Sequence, residues 1–588
     1  MNYNLNDLQA KAPKSSTWVS LGKLLKLIKH EQKNLVFALI AILVNSTLNL
    51  LGPLIIGDTI DKYIFVQHKD YHGVLVNCCI LLAMYLITLL TSYWQTILMG
   101  GVGQRMLFTL RNSIFNKLQL LPVGFFNQNK AGDLISRVNN DTDKINQFFS
   151  QSLMQFIGSI ATMTGAGIFL LAINIKLGSA TLVPAAIILL FTLVVSPWVK
   201  RKNAKNLTSV GGMSAEIQES LNNFKMIIAF NRRDYFRKRF DSANNQNYGT
   251  AISAGLANNI FVPVYGLLSS LAQLIVLAYG IYLISVGEFK IGLLVSYLSY
   301  ANNFYNPLRQ LAALWTNFQV AMAGWDRISL ILELETDINT IKAEVTEPSD
   351  ALLEFRNVYF GYDESKEILH NVSFKLERGK TYALVGPTGG GKTTTASLLA
   401  RLYDASKGTV FLDGHDIRTY QPVDRTKKIG FILQEPFLFT GTVRENILYG
   451  NELYVNHSNE QLEQVINDAN LGSLLAIFDK GLDTNVISNS DGISLGQKQL
   501  IAFMRAVLRN PELLILDEAT ANIDTITEKL LSDILNKLPE TTTRVIIAHR
   551  LNTIENADEI FFVNSGEVIR AGSFDHAMKM LLQGKRSS

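Results

Sequence analysis

Long stretches without charge alternate with stretches dense in it along the first half of the chain. Residues 34–57, 73–104, 145–175, 177–199 and 242–287 contain no Asp, Glu, Lys or Arg, and 291–308 continues the pattern up to Arg309. A helix needs about 20 mostly apolar residues to cross the hydrocarbon of a bilayer. The pattern therefore predicts six spans, near 35–57, 74–98, 149–172, 177–199, 261–286 and 291–314. No charged residue lies inside the first five to mark an ion path. From Ala351 onward the pattern changes: short strand-like runs alternate with helical ones, which predicts a mainly parallel sheet covered by helices.

Basic residues orient the first half. The segment between spans two and three carries Arg105, Arg111, Lys117, Lys130, Arg137 and Lys144, and that between spans four and five carries Lys200, Arg201, Lys202, Lys205, Lys225 and a cluster from Arg232 to Arg239. The opposite connections, 58–73, 173–176 and 287–290, are short and carry few basic residues. The basic connections belong on the cytoplasmic side, so both termini are expected in the cytoplasm. At about 50 residues each, they are too long for structureless loops, which predicts helical extensions of the spans with something docked on them.

Composition adds two exclusions. Apolar residues make up 48% of the 588 and charged residues 18%, which suits a chain partly in lipid, and a net charge of +4 gives no reason to expect nucleic acid. The first 20 residues are polar and lack an apolar core, so a removable signal peptide is not expected. The two cysteines, Cys78 and Cys79, are neighbours in an apolar run and suit packing better than a bridge or a metal.

The second half carries the chemistry. "YALVGPTGGGKTTTASLLARLY" starts as an apolar strand, passes through a glycine-rich turn and opens a helix, the context in which G-x-x-x-x-G-K-[ST] binds phosphate. The candidate ATP-binding residues are Gly386, Pro387, Thr388, Gly389, Gly390, Gly391, Lys392, Thr393 and Thr394. Backbone N–H groups reach phosphate oxygens only where no side chain intervenes, and the helix N-terminus adds positive potential. Lys392 is expected on the β- and γ-phosphates and Thr393 on Mg²⁺. Further on, "LLILDE" reads as a buried strand ending in Asp517, a second Mg²⁺ ligand, and Glu518, which orients or deprotonates the attacking water.

These motifs, in this order, resemble an ABC transporter half of the exporter type, and the resemblance spans nearly the whole chain. It implies an all-α six-helix transmembrane domain followed by an α/β P-loop ATPase domain with a helical subdomain. The expected boundaries are an N-terminal cytoplasmic segment 1–34, a membrane domain 35–325, a linker 326–350 and an ATP-binding domain 351–588. It also implies roles for single residues. Gln434 in "FILQEPFLF" joins the Mg²⁺ site to the membrane domain, His549 in "VIIAHRL" is the switch histidine at the γ-phosphate, and Asp524 in "ATANID" lies in a loop that crosses the dimer. Tyr362 fits the aromatic that stacks on adenine, with Tyr359 as second choice. "PVGFFNQNKAGDLISRVNNDTDKI" and "FKMIIAFNRRDYF" resemble the two coupling segments that press on ATP-binding domains, centred on Phe125–Gln128 and Phe224–Asn231.

One position departs from the family. The signature L-S-G-G-Q, which binds the γ-phosphate held by the other subunit, here reads Ile493, Ser494, Leu495, Gly496, Gln497. A glycine permits φ > 0 and close approach to phosphate, and leucine offers neither. With "TNVISNSDG" before it, the segment resembles one branch of bacterial heterodimeric multidrug exporters, whose degenerate-signature subunit keeps its catalytic glutamate. The expected partners are thus a second half-transporter, a lipid membrane and a small-molecule cargo. The expected activity is ATP-driven, Mg²⁺-dependent multidrug-like export across the cell inner (plasma) membrane by alternating access. A homodimeric exporter or flippase for lipid or peptide, and a non-transporting regulatory ATPase, are the alternatives.

Overall fold

The computed structural model describes residues 3–11, 22, 24, 31–65, 70–335, 340–342, 350–363, 366–434, 436–487, 493–517, 525–547, 557–572 and 574–583. Packing divides the chain into two units: residues 13–116 with 135–332, and residues 1–12, 117–134 and 333–588.

The first unit is wholly helical among the described residues. Its main helices are α1 (Gln32–Thr59), α2 (Tyr71–Gln119), α3 (Leu153–Ile173), α4 (Ile175–Asn222), α5 (Arg233–Asn259), α6 (Phe261–Ser285) and α7 (Ile291–Glu333). Uncharged apolar sequence on all sides suits lipid rather than a two-faced surface helix. Among the described residues, five stretches are long and apolar enough to cross a membrane: Gln32–Ile64, Tyr71–Gln119, Ala131–Ile173, Ile175–Asn222 and Arg233–Ser285. The sixth expected span, 291–314, falls in the unbroken helix α7, whose apolar sequence is interrupted by Asn302, Asn303, Asn306 and Arg309. The long basic connections are helical, as their length required. α2 runs on to Gln119, a helical path returns from Ala131 with two wide π turns at Arg137–Asp141 and Phe148–Ser152, and α4 and α5 form the second pair.

Inside the bundle α7 acts as the hub. Its buried Tyr297 donates to the Leu170 carbonyl of α3 at 2.6 Å, Tyr300 to Leu50 of α1 at 2.7 Å, and Tyr305 to Thr181 of α4 at 2.6 Å. Asp61 caps the start of α7, accepting from the Gly292 and Leu293 N–H groups at 2.6 and 3.0 Å. The three tyrosine hydrogen bonds join helices where lipid offers no alternative partner.

Nearer the tip of the extensions, Arg327 of α7 makes a bidentate pair with buried Asp141, at 2.7 and 2.5 Å, and Arg137 donates to the Arg327 carbonyl at 2.9 Å. Burial alone would raise the Asp141 carboxyl; Arg327, with Lys144, overrides it and holds the group below the usual carboxylate range.

The second unit contains two main sheets. An antiparallel one, ordered β2-β1-β4-β5, is made of β1 (Ala351–Phe360), β2 (Leu369–Glu377), β4 (Lys407–Leu412) and β5 (His415–Asp416). The other is ordered β12-β11-β3-β10-β9-β6, from β3 (Thr381–Val385), β6 (Ile429–Ile432), β9 (Leu513–Asp517), β10 (Thr543–Ile547), β11 (Glu559–Asn564) and β12 (Glu567–Arg570). It is parallel except for β12 at its edge. Five adjacent parallel strands end at one rim, where an α/β sheet binds ligands. A short pair, β7 (Gly441–Thr442) with β8 (Asn485–Val486), sits in the helical part, whose core runs through Leu462, Ile466, Leu474, Leu500 and Phe503.

Replacing Arg327 with Met is expected to cost about 2–3 kcal/mol at neutral pH, because Asp141 is left charged and buried. Folding depresses the Asp141 pKa, so this contribution is complete above the unfolded carboxylate value of about 3.9 and is lost as pH falls through the folded value. Thermal unfolding in detergent should show the gap between variant and parent at pH 7 and its closure toward pH 3.

Candidate functional site: a nucleotide loop linked to a coupling segment

β3 delivers the chain to a turn that only glycine can make. Gly386 has φ 148° and Gly391 φ 112°; a Cβ on Gly386 would meet the Val563 carbonyl oxygen, and one on Gly391 would lie 2.8 Å from Leu369. The β11–β12 turn braces the loop from behind, with the Gly566 N–H donating to the Gly390 carbonyl at 3.1 Å. Gly391 then caps α8 (Lys392–Leu399), leaving the first N–H groups of that helix for an anion. The Lys392 ammonium is buried and folded back over the loop, donating to the Gly386 and Pro387 carbonyls at 2.9 and 3.1 Å. Pro387, Thr388 and Gly389 form the exposed outer edge.

The Thr393 hydroxyl lies 3.5 Å from the carboxylate of buried Asp517, at the end of β9. A hydroxyl and a carboxylate are the hard oxygen donors Mg²⁺ selects. β6 is the other neighbour of β9, with Ile432 opposite Leu516, so exposed Gln434 leaves its strand beside the end of β9. β10 flanks β9 on the other side, with Ile547 opposite Asp517. Glu518, Asp524 and His549 lie outside the described residues.

Tyr362 is 39% exposed, and its hydroxyl is 3.2 Å from that of Thr394 on α8. Tyr359 is half-buried, with the Lys407 ammonium over its ring at 5.6 Å. Of the two aromatics, Tyr362 is the one tied to the phosphate-loop helix.

Tyr362 also begins a path that the sequence did not announce. Its ring meets that of Tyr403 edge-on at 5.1 Å, and the Tyr403 hydroxyl accepts from Asn127 at 2.6 Å. Asn127 lies in the short helix Val123–Gln128, the first expected coupling segment, where a Cβ on Gly124 would stand 3.4 Å from the Tyr403 ring. Burial pushes the Tyr403 phenol up, so the hydroxyl stays neutral. The N-terminal segment holds the other side of this helix. Asn129 donates to the Tyr3 and Phe125 carbonyls at 2.9 and 2.8 Å and accepts from the Leu5 N–H at 3.0 Å, while Gln128 accepts from the Tyr3 N–H at 2.7 Å. Tyr403 stands in "ARLYDAS", directly after the phosphate-loop helix, and an aromatic at that spot was the one available signal.

The second expected coupling segment is the short helix Phe224–Ala229 in the helical unit. Ile227 is buried, but Phe224, Met226, Ile228 and Phe230 are exposed by 43–68%.

At the signature, Ser494 caps α9 (Leu495–Val507) in a capping box with Gln497, at 3.2 and 3.0 Å. Leu495 is the first helical residue and does not have positive φ. The backbone argument for a glycine here is thus corrected: leucine forfeits no φ > 0 conformation. What remains is its side chain, 41% exposed at the helix N-terminus beside Gly496. Arg505 on the same helix donates to the carbonyls of Asn446 and Phe437 at 2.7 and 3.0 Å, fixing α9 to the segment that follows Gln434.

Comparison with known proteins agrees with this geometry. Residues 35–308 match the ABC transporter transmembrane region and 369–521 match the ABC transporter ATP-binding family. An uncharacterized ABC transporter ATP-binding protein of Bacillus subtilis, YfiC, is 34% identical over 97% of this chain and 94% of its own length. A protein of Mycobacterium bovis named a fatty acid ABC transporter ATP-binding/permease protein is 30% identical over 88% and 81%. One of Lactococcus lactis named a multidrug resistance ABC transporter ATP-binding and permease protein is 29% identical over 94% and 93%.

Removing the hydrogen bond in Asn127→Ala should leave ATP affinity within about twofold, since Tyr362 and the glycine loop are untouched. Loss of this exposed hydrogen bond, at most about 1 kcal/mol, should lower cargo-stimulated ATPase by up to about fivefold. Nucleotide titration and stimulated turnover on one preparation measure both.

Proposed function

From the membership of this chain in the ABC transporter family, as a half-transporter whose N-terminal transmembrane region is fused to an ATP-hydrolysing domain, we propose that it exports hydrophobic or amphipathic compounds by alternating access as one subunit of a heterodimer. ABC exporters work as dimers in the membrane, so this is a multi-pass membrane protein whose ATP-binding domain couples hydrolysis to transport. In the proposed topology six helices cross the cell inner membrane, with both termini in the cytoplasm. The relatives named for multidrug resistance and for fatty acid support an apolar or amphipathic cargo. The single observation that carries the reading is the docking of Val123–Gln128 on Tyr403, one aromatic contact away from Tyr362. A regulatory ATPase without transport has no use for that link.

Bound Mg²⁺ would supply charge neutralisation as the terminal phosphoanhydride of ATP breaks. Among the chain's own residues, the loop from Gly386 to Thr394 would hold the phosphates and Tyr362 would stack on adenine. Lys392 would give up its two carbonyls to bind phosphate oxygens. Thr393, Asp517 and Gln434 would hold the metal; Glu518 would take a proton from the attacking water, and His549 would stabilise the leaving charge. Ser494, Leu495, Gly496 and Gln497 act on the ATP of the other subunit, and Asp524 lines the crossing between them. The exposed apolar side chains of Phe224–Ala229 support docking onto a partner's ATP-binding domain, which would cover them.

Leu495 supports the heterodimer over a homodimer: an exposed branched side chain at the α9 N-terminus would hinder close approach of its N–H groups to phosphate. The ATP that this signature caps is therefore held longer, while the site built on Lys392, Glu518 and His549 turns over against an intact partner signature. A neighbouring gene for a half-transporter with an intact signature and no catalytic glutamate supports this pairing.

Glu518→Gln should lower steady-state ATPase by at least about 100-fold with ATP binding retained, as expected for loss of a general base. In inverted vesicles, ATP-driven uptake from a panel of neutral, cationic and anionic amphiphiles should vanish with it. Uptake that persists in the variant would refute coupling through this site.

A further inference from the structure

The start of the chain is ordered where termini usually are not. Tyr3 and Leu5 are buried and Leu8 is half-buried, while Asp7 and Gln9 are exposed, so this short segment has an apolar side that is covered. Its helix, Leu5–Lys11, has seven residues, too few to hold itself in water. Its order comes from what it docks on.

That surface is the helix Val123–Gln128 and the residue after it. The Tyr3 ring meets the buried Phe125 ring edge-on at 6.5 Å. The Tyr3 N–H donates to the Gln128 side chain at 2.7 Å, the Leu5 N–H donates to the Asn129 side chain at 3.0 Å, and the Asn129 amide donates back to the Tyr3 carbonyl at 2.9 Å. Asn129 also donates to the Phe125 carbonyl at 2.8 Å, closing the end of the short helix. A Cβ on Gly124 would stand 3.4 Å from the Tyr403 ring and 3.9 Å from the Tyr3 ring, so both tyrosines reach the same turn.

The two grips differ in kind. Tyr403, just beyond the phosphate-loop helix, holds Asn127 through one exposed hydrogen bond. One such bond fixes a distance and leaves the helix free to roll about it. The Tyr3 segment adds three hydrogen bonds and a ring contact, and these remove that freedom. Packing groups residues 1–12 and 117–134 with the ATP-binding domain, so strap, helix and domain belong to one unit.

We propose that residues 3–11 are a positioning strap: they set the orientation of Val123–Gln128 on the ATP-binding domain, so that motion at the phosphate loop passes to the membrane helices instead of being lost in rotation of a six-residue helix. The proposal rests on the reading of Val123–Gln128 as a coupling segment. Tyr3 is the central positioning residue, because its ring packs on Phe125 and its backbone N–H and carbonyl are bonded to the side chains of Gln128 and Asn129. The strap acts on transmission, so ATP binding and basal hydrolysis do not need it.

The test compares the parent with deletion of residues 2–12, Tyr3→Ala and Tyr3→Phe, each assembled with the partner half-transporter in proteoliposomes. Uptake of dodecyl glucoside, dodecyltrimethylammonium and dodecanoate is measured alongside ATP hydrolysis, giving molecules moved per ATP. Deletion and Tyr3→Ala should lower that ratio about fivefold, equivalent to about 1 kcal/mol, with basal ATPase and its KM for ATP within about twofold of the parent. Tyr3→Phe, which keeps the ring, should keep the ratio. Hydrogen exchange of the amides of residues 123–129 with ATP bound should quicken at least about tenfold in the first two variants and not in Tyr3→Phe. An unchanged ratio overturns the proposal, as does a fall of uptake and ATPase by equal factors, which marks a merely structural role. A parent that hydrolyses ATP and moves none of the three probes defeats the export reading instead; exchange then decides the strap, upheld if it quickens and overturned if it does not.

Discussion

Phosphate bound by backbone N–H groups tolerates no side chain in between, and the rest of this protein follows from where that rule is obeyed and where it is not. At the phosphate loop it is obeyed fully. Gly386 and Gly391 adopt conformations closed to other residues, and the space a Cβ would need is already filled by Val563 and Leu369. At the signature, Ser494 and Gln497 build a well-capped helix start, and Leu495 then sets a branched side chain at its first position. On the proposed heterodimer, the first would hold this chain's ATP and the second would cap the partner's, so the asymmetry would become functional only in the dimer.

Binding energy at the cradle does work only if it reaches the membrane helices. On the proposed reading the route on this chain is short: Thr394 to Tyr362, Tyr362 to Tyr403, Tyr403 to Asn127. The helix Val123–Gln128 is held from both sides, by Tyr403 and, through Asn129 and Gln128, by the N-terminal segment around Tyr3. A helix of six residues has little stability of its own, so its orientation depends on these contacts. Further along, the Asp141–Arg327 pair ties the returning extension to α7, which is also bonded to α1, α3 and α4 through its tyrosines.

Much of this was legible in the sequence, for identifiable reasons. A phosphate loop needs consecutive residues, so "GPTGGGKTT" declares it, and charge-free runs declare helices because lipid excludes charge over a fixed length. What depended on residues far apart stayed hidden. Asn127 and Tyr403 are 276 positions apart, and Asn129 grips a segment more than 120 positions before it. At Leu495 the strain argument fails on an ordinary helical backbone, and the proposal above keeps only the steric argument.

The central claim is that two ATP molecules in one dimer meet unequal fates because of Leu495. Nucleotide retention tests it most directly. The heterodimer is loaded with labelled ATP, chased with excess unlabelled ATP, and the label remaining per dimer is followed with time. The account predicts that about one nucleotide per dimer exchanges slowly while the other turns over, and that Leu495→Gly removes the slow phase without abolishing hydrolysis. Equal exchange at both sites in the parent protein, or loss of all turnover in the glycine variant, would contradict it.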